Sequence, residues 1–282
     1  MAVICLLNQK GGVGKTSTCH HLSGSLARNG ARVLLIDNDP QSSLTQGFWG
    51  PVVTRQLDPA ETMAAILGGE EPYPAAVIKP TGVAGIDILP GSKRATSYNV
   101  PDPHLADPAA QLSLRAFLEE VRNEYDYVLI DCPPNLHLCS WTALVSADHL
   151  IVPLKPEDYG AQGIIDVQES VDLVLSGPNP GLTMLGYLIT MMSVRKSIHK
   201  LYEETLRAQF GSQVFETRMT EAVDYVEALN QRLPVTQYKP RGAAAKTMKA
   251  LAEELEARLN TVRDGVSYES PSANTTVREE AA

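Results

Sequence analysis

The sequence predicts an α/β fold in three layers, a mainly parallel central sheet flanked by helices. Three observations carry this expectation. Short runs rich in Val, Ile and Leu alternate with longer helical patterns along most of the 282 residues, as they do where parallel strands are joined by crossover helices. Those runs are apolar throughout rather than alternating, the pattern of strands buried on both faces. The first strand, glycine-rich turn, helix and second strand fit within about 36 residues, the size of one βαβ unit.

Taken in order, Ala2 to Leu7 reads as the first strand, Thr16 to Asn29 as a helix stopped by Gly30, and Arg32 to Ile36 as the second strand. Asp58-Pro-Ala-Glu61 supplies an N-cap, a first-turn proline and an N3 glutamate for a helix running to about Leu67. Residues 70–106 are rich in Pro and Gly, with a short strand at Ile86 to Leu89. A helix from Asp107 to Tyr125 leads into a buried strand, Tyr127 to Ile130, that ends at Asp131. Further strands are expected at His149–Pro153 and Thr183–Thr190, and helices at Gln162–Leu175, Ser197–Phe210 and Thr220–Asn230. The last helix, Ala243 to Arg263, carries Met248, Leu251, Leu255 and Leu259 at core-facing spacing. Residues 1–263 read as one domain without a linker, and 264–282 as a polar, disordered tail.

Composition narrows the function classes. A hydrophobic content of 44% suffices for a large core. Four cysteines, Cys5, Cys19, Cys132 and Cys139, show neither a C-x-x-C pair nor zinc spacing, which fits buried thiols in a reducing cytoplasm. No signal-peptide pattern and no run of 18 apolar residues is present, so no membrane span is expected. The net charge of −9 argues against bulk attraction to nucleic acid, yet residues 190–250 hold ten Lys or Arg against six acids.

The chemistry is concentrated at predicted strand ends. In Asn8-Gln-Lys-Gly-Gly-Val-Gly-Lys-Thr16, Gly11, Gly12 and Gly14 free the backbone to curl around phosphate. Lys15 is placed to reach β- and γ-phosphates, and the following helix offers its N-terminus. Gln9 stands where the strict phosphate-loop pattern has its first glycine, and a second lysine, Lys10, flanks the loop. Asp37 and Asp39, two apart at the end of the second strand, face one side if the chain is still extended there. Asp131 closes the apolar strand Tyr127-Val-Leu-Ile-Asp131 and is followed by Cys-Pro-Pro134.

These pieces, with Leu233-Pro-Val-Thr-Gln-Tyr-Lys-Pro-Arg-Gly-Ala243, match in order and spacing the ParA-like ATPases, and the chain resembles a short Soj-type member. The K-G-G-x-G-K-T loop is similar to the deviant phosphate loop of that group and of MinD. The resemblance implies a P-loop NTPase fold and a Mg²⁺-dependent ATPase. Lys10, Lys15 and Asp39 would be catalytic, Asp39 by orienting the attacking water and Lys10 by reaching the nucleotide of a partner subunit. Lys10, Gly11, Gly12, Val13, Gly14, Lys15, Thr16 and Ser17 would bind ATP, with Thr190 and Met191 on the adenine side. Thr16, Asp37 and Asp131 would serve the metal. As phosphoryl transfer rests mostly on positioning and charge, neither Asp37 nor Asp39 needs a strongly shifted pKa.

The resemblance also implies an ATP-dependent homodimer, a ParB-like adaptor that stimulates hydrolysis, and non-specific DNA binding on a nucleoid. Arg195 matches a basic position used for DNA, and Lys196, Lys200, Lys239, Arg241, Lys246 and Lys249 would join it. Against this, the family reads F-E-T-x-I-P-R-N-V-R where the chain has Phe215-Glu-Thr-Arg-Met-Thr-Glu-Ala-Val-Asp224. Two arginines are thus replaced by Glu221 and Asp224, which would repel phosphate. The alternatives are an ATPase that positions a protein cargo, or a nucleotide-switched scaffold with little turnover. The polar tail lacks the basic amphipathic helix with which MinD-like chains meet membranes. With no cysteine between Cys19 and Cys132, a shared iron–sulphur cluster is disfavoured.

Overall fold

The computed structural model describes residues 1–156 and 161–263. Among the described residues seven strands form the sheet: β1 (Ala2–Leu6), β2 (Val33–Asp37), β3 (Lys79–Pro80), β4 (Ile86–Leu89), β5 (Tyr127–Asp131), β6 (His149–Leu154) and β7 (Thr183–Ile189). Their spatial order is β3-β4-β2-β5-β1-β6-β7. Every pairing is parallel except β3 with β4, an antiparallel edge. The chain leaves β1 toward β2 on one side and later crosses from β5 past β1 to β6 on the other. The crevice at such a reversal, beyond the C-terminal strand ends, is where sheets of this kind bind ligands.

The helices are α1 (Lys15–Arg28), α2 (Ser43–Gln56), α3 (Met63–Leu67), α4 (Pro74–Val77), α5 (Pro108–Glu120), α6 (Leu138–Ser146), α7 (Ala161–Leu175), α8 (Ser197–Phe210), α9 (Val223–Asn230), α10 (Val235–Tyr238) and α11 (Ala243–Arg263). Alternate residues of the strands feed two separate cores. Val3, Cys5 and Ile130 meet Leu114, Phe117, Trp141 and Leu144 of α5 and α6 on one face. Ile4, Leu6, Leu35 and Leu129 meet Leu22 and Leu26 of α1 and Met248, Leu251 and Leu255 of α11 on the other. Burial on both faces is why each strand reads as an unbroken apolar run.

Several boundaries differ from expectation. The helix expected over 58–67 is split: Asp58 caps a single 3₁₀ turn, Pro59–Glu61, and Thr62 then caps α3 through its hydroxyl to Ala64 N. The helix expected to reach Tyr125 ends at Glu120, and the one expected from Thr220 starts at Val223, because Thr220 pairs with Met192 as an isolated bridge. Four helices, α2, α4, α6 and α10, were not expected. α2 is interrupted by non-helical Gly50 ahead of Pro51, and α6 is buried on nearly every side and so has no polar stripe. Among the described residues no helix is long and apolar enough to cross a membrane. The tail expected over 264–282 lies outside the described residues.

Candidate functional site

The loop that leaves β1 is held from three sides. Asn8 is buried; its side-chain amide donates to Pro153 O at 2.8 Å and its carbonyl oxygen accepts from Lys10 N at 2.9 Å. Thr190, at the end of β7, places its hydroxyl 2.8 Å from Val13 O and 3.2 Å from Leu154 O. Gly12 and Gly14 adopt φ of +73° and +86°, where a side chain is strained. A Cβ on Gly14 would also meet Thr190 Cβ at 3.4 Å. Gly14 occupies the N-cap position of α1, so no side chain shields the first-turn N–H groups. Free N–H groups and the helix dipole together favour an anion there.

Lys15 lies across the loop it closes. Its ammonium donates to Asn8 O and Lys10 O, both at 2.9 Å, and the residue is only 6% exposed. Burial lowers its pKa, and the opposing pull comes first from Asp131, with Asp39 also contributing. A charged lysine with carbonyl partners and nearby carboxylates is poised for phosphate oxygens.

Asp37 and Asp131 end neighbouring strands as register partners, and both are fully buried. Asp37 Oδ2 accepts from Thr45 N at 2.7 Å and from the Thr45 hydroxyl at 2.5 Å, while Oδ1 has no partner. Burial raises its pKa to about 7 against the pull of Thr45. Asp131 is raised well above the ordinary range by burial and then by the charge of Asp37. Neither Asp131 oxygen makes a hydrogen bond of good geometry, although the Thr16 hydroxyl is near enough to favour the charged form. Asp39 is half-buried; its Oδ1 accepts from Gln41 N at 2.9 Å, and burial raises its pKa against Gln41 and Lys15. The shift on Asp37 is larger than the chemistry was expected to need, because it and Asp131 are two carboxylates buried side by side with few donors.

Unsatisfied buried carboxylate oxygens are costly and point to a cation. Among the described residues no three His, Cys, Asp or Glu side chains converge as a metal site by themselves. Mg²⁺ does not require that, since it commonly takes one or two carboxylates and completes its shell with water and phosphate oxygens. Asp131, Asp37 and the Thr16 hydroxyl therefore fit a Mg²⁺ that arrives with a nucleotide.

The structure brings the expected phosphate-loop residues and the three aspartates together at one crevice. It gives Thr190 a supporting role against the loop, and Met191 a half-buried place with φ +50°. Asn8, Thr45 and Gly91 were missed. A Cβ on Gly91 would lie 2.8 Å from Asp37 Cγ, and Gly91 N donates to Thr45 Oγ1 at 2.9 Å, so the close approach needs glycine. Asn8 stood in the quoted loop, but only its partners reveal what it does.

The candidate DNA-contacting residues are less uniform. Arg195, Lys200, Arg241, Lys246 and Lys249 are exposed. Lys196 pairs with Glu221 at 3.7 Å, and Lys239 pairs with Asp224 at 2.7 Å and Glu227 at 2.5 Å. The two acids therefore neutralise two of the candidate lysines, beyond repelling phosphate themselves. Lys239 is pushed up in pKa by these partners.

Comparison with known proteins agrees with this geometry. A family described as AAA_31, AAA domain, matches residues 1–184. The chromosome partitioning protein ParA of Myxococcus xanthus is 34% identical over 256 residues, covering 91% of this chain and 88% of the relative. The chromosome-partitioning ATPase Soj of Thermus thermophilus is 36% identical over 259 residues, covering 91% and 96%. The septum site-determining protein MinD of Pyrococcus horikoshii, solved with Mg-ADP, superposes with a TM-score of 0.68 at 25% identity, covering 93% of this chain and 98% of that one. The chain belongs to the ParA/Soj family of chromosome-partitioning ATPases.

Proposed function

We propose that residues 1–263 form one ATPase domain that binds ATP with Mg²⁺, hydrolyses it to ADP and phosphate, and dimerises while ATP is bound. The observation that carries this reading is the pair of buried carboxylates, Asp37 and Asp131, with unpartnered oxygens beside Lys15 at the mouth of the loop. The loop N–H groups and Lys15 hold the phosphates, and Thr16 with Asp131 faces the cation, which when bound screens charge on the β- and γ-oxygens. Asp39, half-buried and held in its own turn by Gln41, orients the attacking water. Lys10 reaches the phosphates of a second copy, as the family resemblance implies.

The work of this cycle is the partitioning of a plasmid or chromosome, with a ParB-like partner that stimulates hydrolysis and an exposed basic face that meets DNA. The pairing of Lys196 and Lys239 with acids favours a second reading, in which the same ATPase positions a protein cargo. The test combines phosphate release, sedimentation with a non-hydrolysable ATP analogue, and binding to random duplex DNA across a salt series. Mg²⁺-dependent hydrolysis and an ATP-dependent dimer are expected, both lost or much reduced in Lys10→Ala. An unaltered Lys10→Ala sinks the role of Lys10. No DNA binding at low salt sinks partition in favour of a protein cargo and leaves the ATPase standing.

A further inference from the structure

Asn38 stands between the two aspartates of the β2 end, and its surroundings are unusual for a polar side chain. It is 1% exposed. Its backbone N–H donates to Asp131 O at 3.0 Å, at the end of β5. Its side-chain Nδ2 donates to Cys139 O at 2.5 Å, in the first turn of α6. One residue therefore holds both ends of the segment 132–138 that joins β5 to α6. The amide cannot be turned over, because its oxygen would then face the Cys139 carbonyl. In the orientation observed, Oδ1 is buried without a partner.

That unsatisfied oxygen matters to the argument. A buried amide with one of its polar atoms unpaired costs more to desolvate than an apolar side chain of similar shape. Stability alone gives no reason for Asn at this position, whereas the bond to α6 does. Cys139 is held from its other side as well, since its N–H donates to Asn99 Oδ1 at 2.9 Å. The segment so anchored carries Pro134, Asn135, Leu136 and His137, which with Gln9 line a cleft of about 420 Å³ beside the phosphate loop. Displacement of that segment pulls on Asn38, and Asp39 is the next residue.

We propose that Asn38 is a positioning residue that clamps segment 132–138 to the β2 end and so sets Asp39 for hydrolysis. This rests on the ATPase reading above. A packing role and a positioning role predict different results for Asn38→Leu, which keeps the volume and removes the donor. The full chain is compared with this variant in three measurements: melting temperature, affinity for a non-hydrolysable ATP analogue with Mg²⁺, and kcat for phosphate release. Expected are an equal or higher melting temperature, affinity within twofold, and kcat reduced about tenfold or more. Amide hydrogen exchange over 132–138, measured without nucleotide, should quicken at least threefold.

An unchanged kcat overturns the proposal, and so does a kcat that falls only together with the melting temperature. Should Asn38→Leu be insoluble, Asn99→Ala releases Cys139 from the opposite side. It should lower kcat with affinity kept, and an unchanged kcat there overturns the proposal equally. The exchange measurement separates the two readings. A wild-type chain without ATPase activity defeats the enzyme reading, while exchange over 132–138 that Asn38→Leu leaves unaltered defeats the clamp.

Discussion

Replacing Thr45 by Val tests how the fold holds the metal-facing carboxylates. The Thr45 hydroxyl donates to Asp37 Oδ2 at 2.5 Å and accepts from Gly91 N at 2.9 Å, and all three groups are buried. Val matches the shape and removes both bonds. Losing a bond to a carboxylate costs roughly 1.5–3 kcal/mol, and stranding the buried Gly91 N–H adds roughly 1–3 kcal/mol. The Thr45 backbone bond to Asp37 remains, so the combined effect is set at about 3 kcal/mol. For a chain of this size that corresponds to a melting temperature lower by roughly 6–12 °C. Thr45→Ser keeps the hydroxyl and should lose about 1 kcal/mol, the cost of one methyl. Asp37 should also rise beyond about 7, since the Thr45 hydroxyl is among the donors that hold it down. Scanning calorimetry of the three proteins decides the matter. A Thr45→Val protein within about 0.5 kcal/mol of wild type would refute the assignment of that hydroxyl to both partners.

Three further outcomes are expected. Gly24 lies inside α1, and a Cβ there would sit 2.2 Å from Pro234 Cβ. Gly24→Ala should thus destabilise by roughly 1–3 kcal/mol in urea unfolding despite its better helix propensity, and a stabilised variant would contradict the packing. His20 is buried with its pKa lowered to about 4, and His21 accepts a bond from Val235 N on Nδ1. The unfolded imidazole protonates near 6.5, so these groups contribute stability above that pH that is lost as pH falls toward about 4. His20→Leu should remove roughly 1 kcal/mol per pH unit from that acid slope, and an unaltered slope would exclude His20 as its source. Asp37, raised to about 7, and Asp131, raised well above the ordinary carboxylate range by burial, hold protons that a cation must displace. Mg²⁺ affinity of the nucleotide complex should fall by up to about tenfold per pH unit below neutrality, so a flat profile from pH 6 to 8 would contradict this coupling.

The sequence showed the site better than it showed the parts of the fold that support the site. Gly11 to Thr16, Asp37 and Asp131 were legible because phosphate chemistry demands those residue types at strand ends. α11 was legible because it has one buried face, and α1 because the glycine loop and Gly30 bracket it, although Thr18 to Leu26 are buried throughout. α2 was not, since Gly47, Gly50 and Pro51 break its pattern and the helix is interrupted at Gly50. With α2 hidden, the partnership of Thr45 with Asp37 was hidden too. α6 is so fully buried that periodicity has no contrast to detect, which concealed what Asn38 and Asn99 hold. The basic residues of 190–250 were visible as a charge count, but their neutralisation depends on contacts such as Lys239 with Asp224, 15 positions apart.

The central claim is that buried aspartates at the strand ends hold a cation for a nucleotide on the loop, and Asp131→Asn addresses it most directly. Asn keeps the shape and removes the charge that burial and Asp37 disfavour, so folding should be undisturbed or slightly more stable. Affinity for a non-hydrolysable ATP analogue is measured by calorimetric titration with Mg²⁺ and with a chelator. Wild type should bind at least tenfold tighter with Mg²⁺, and Asp131→Asn should bind equally under both conditions. If Asp131→Asn keeps the full gain from Mg²⁺, the cation is held elsewhere and the account of this site is wrong.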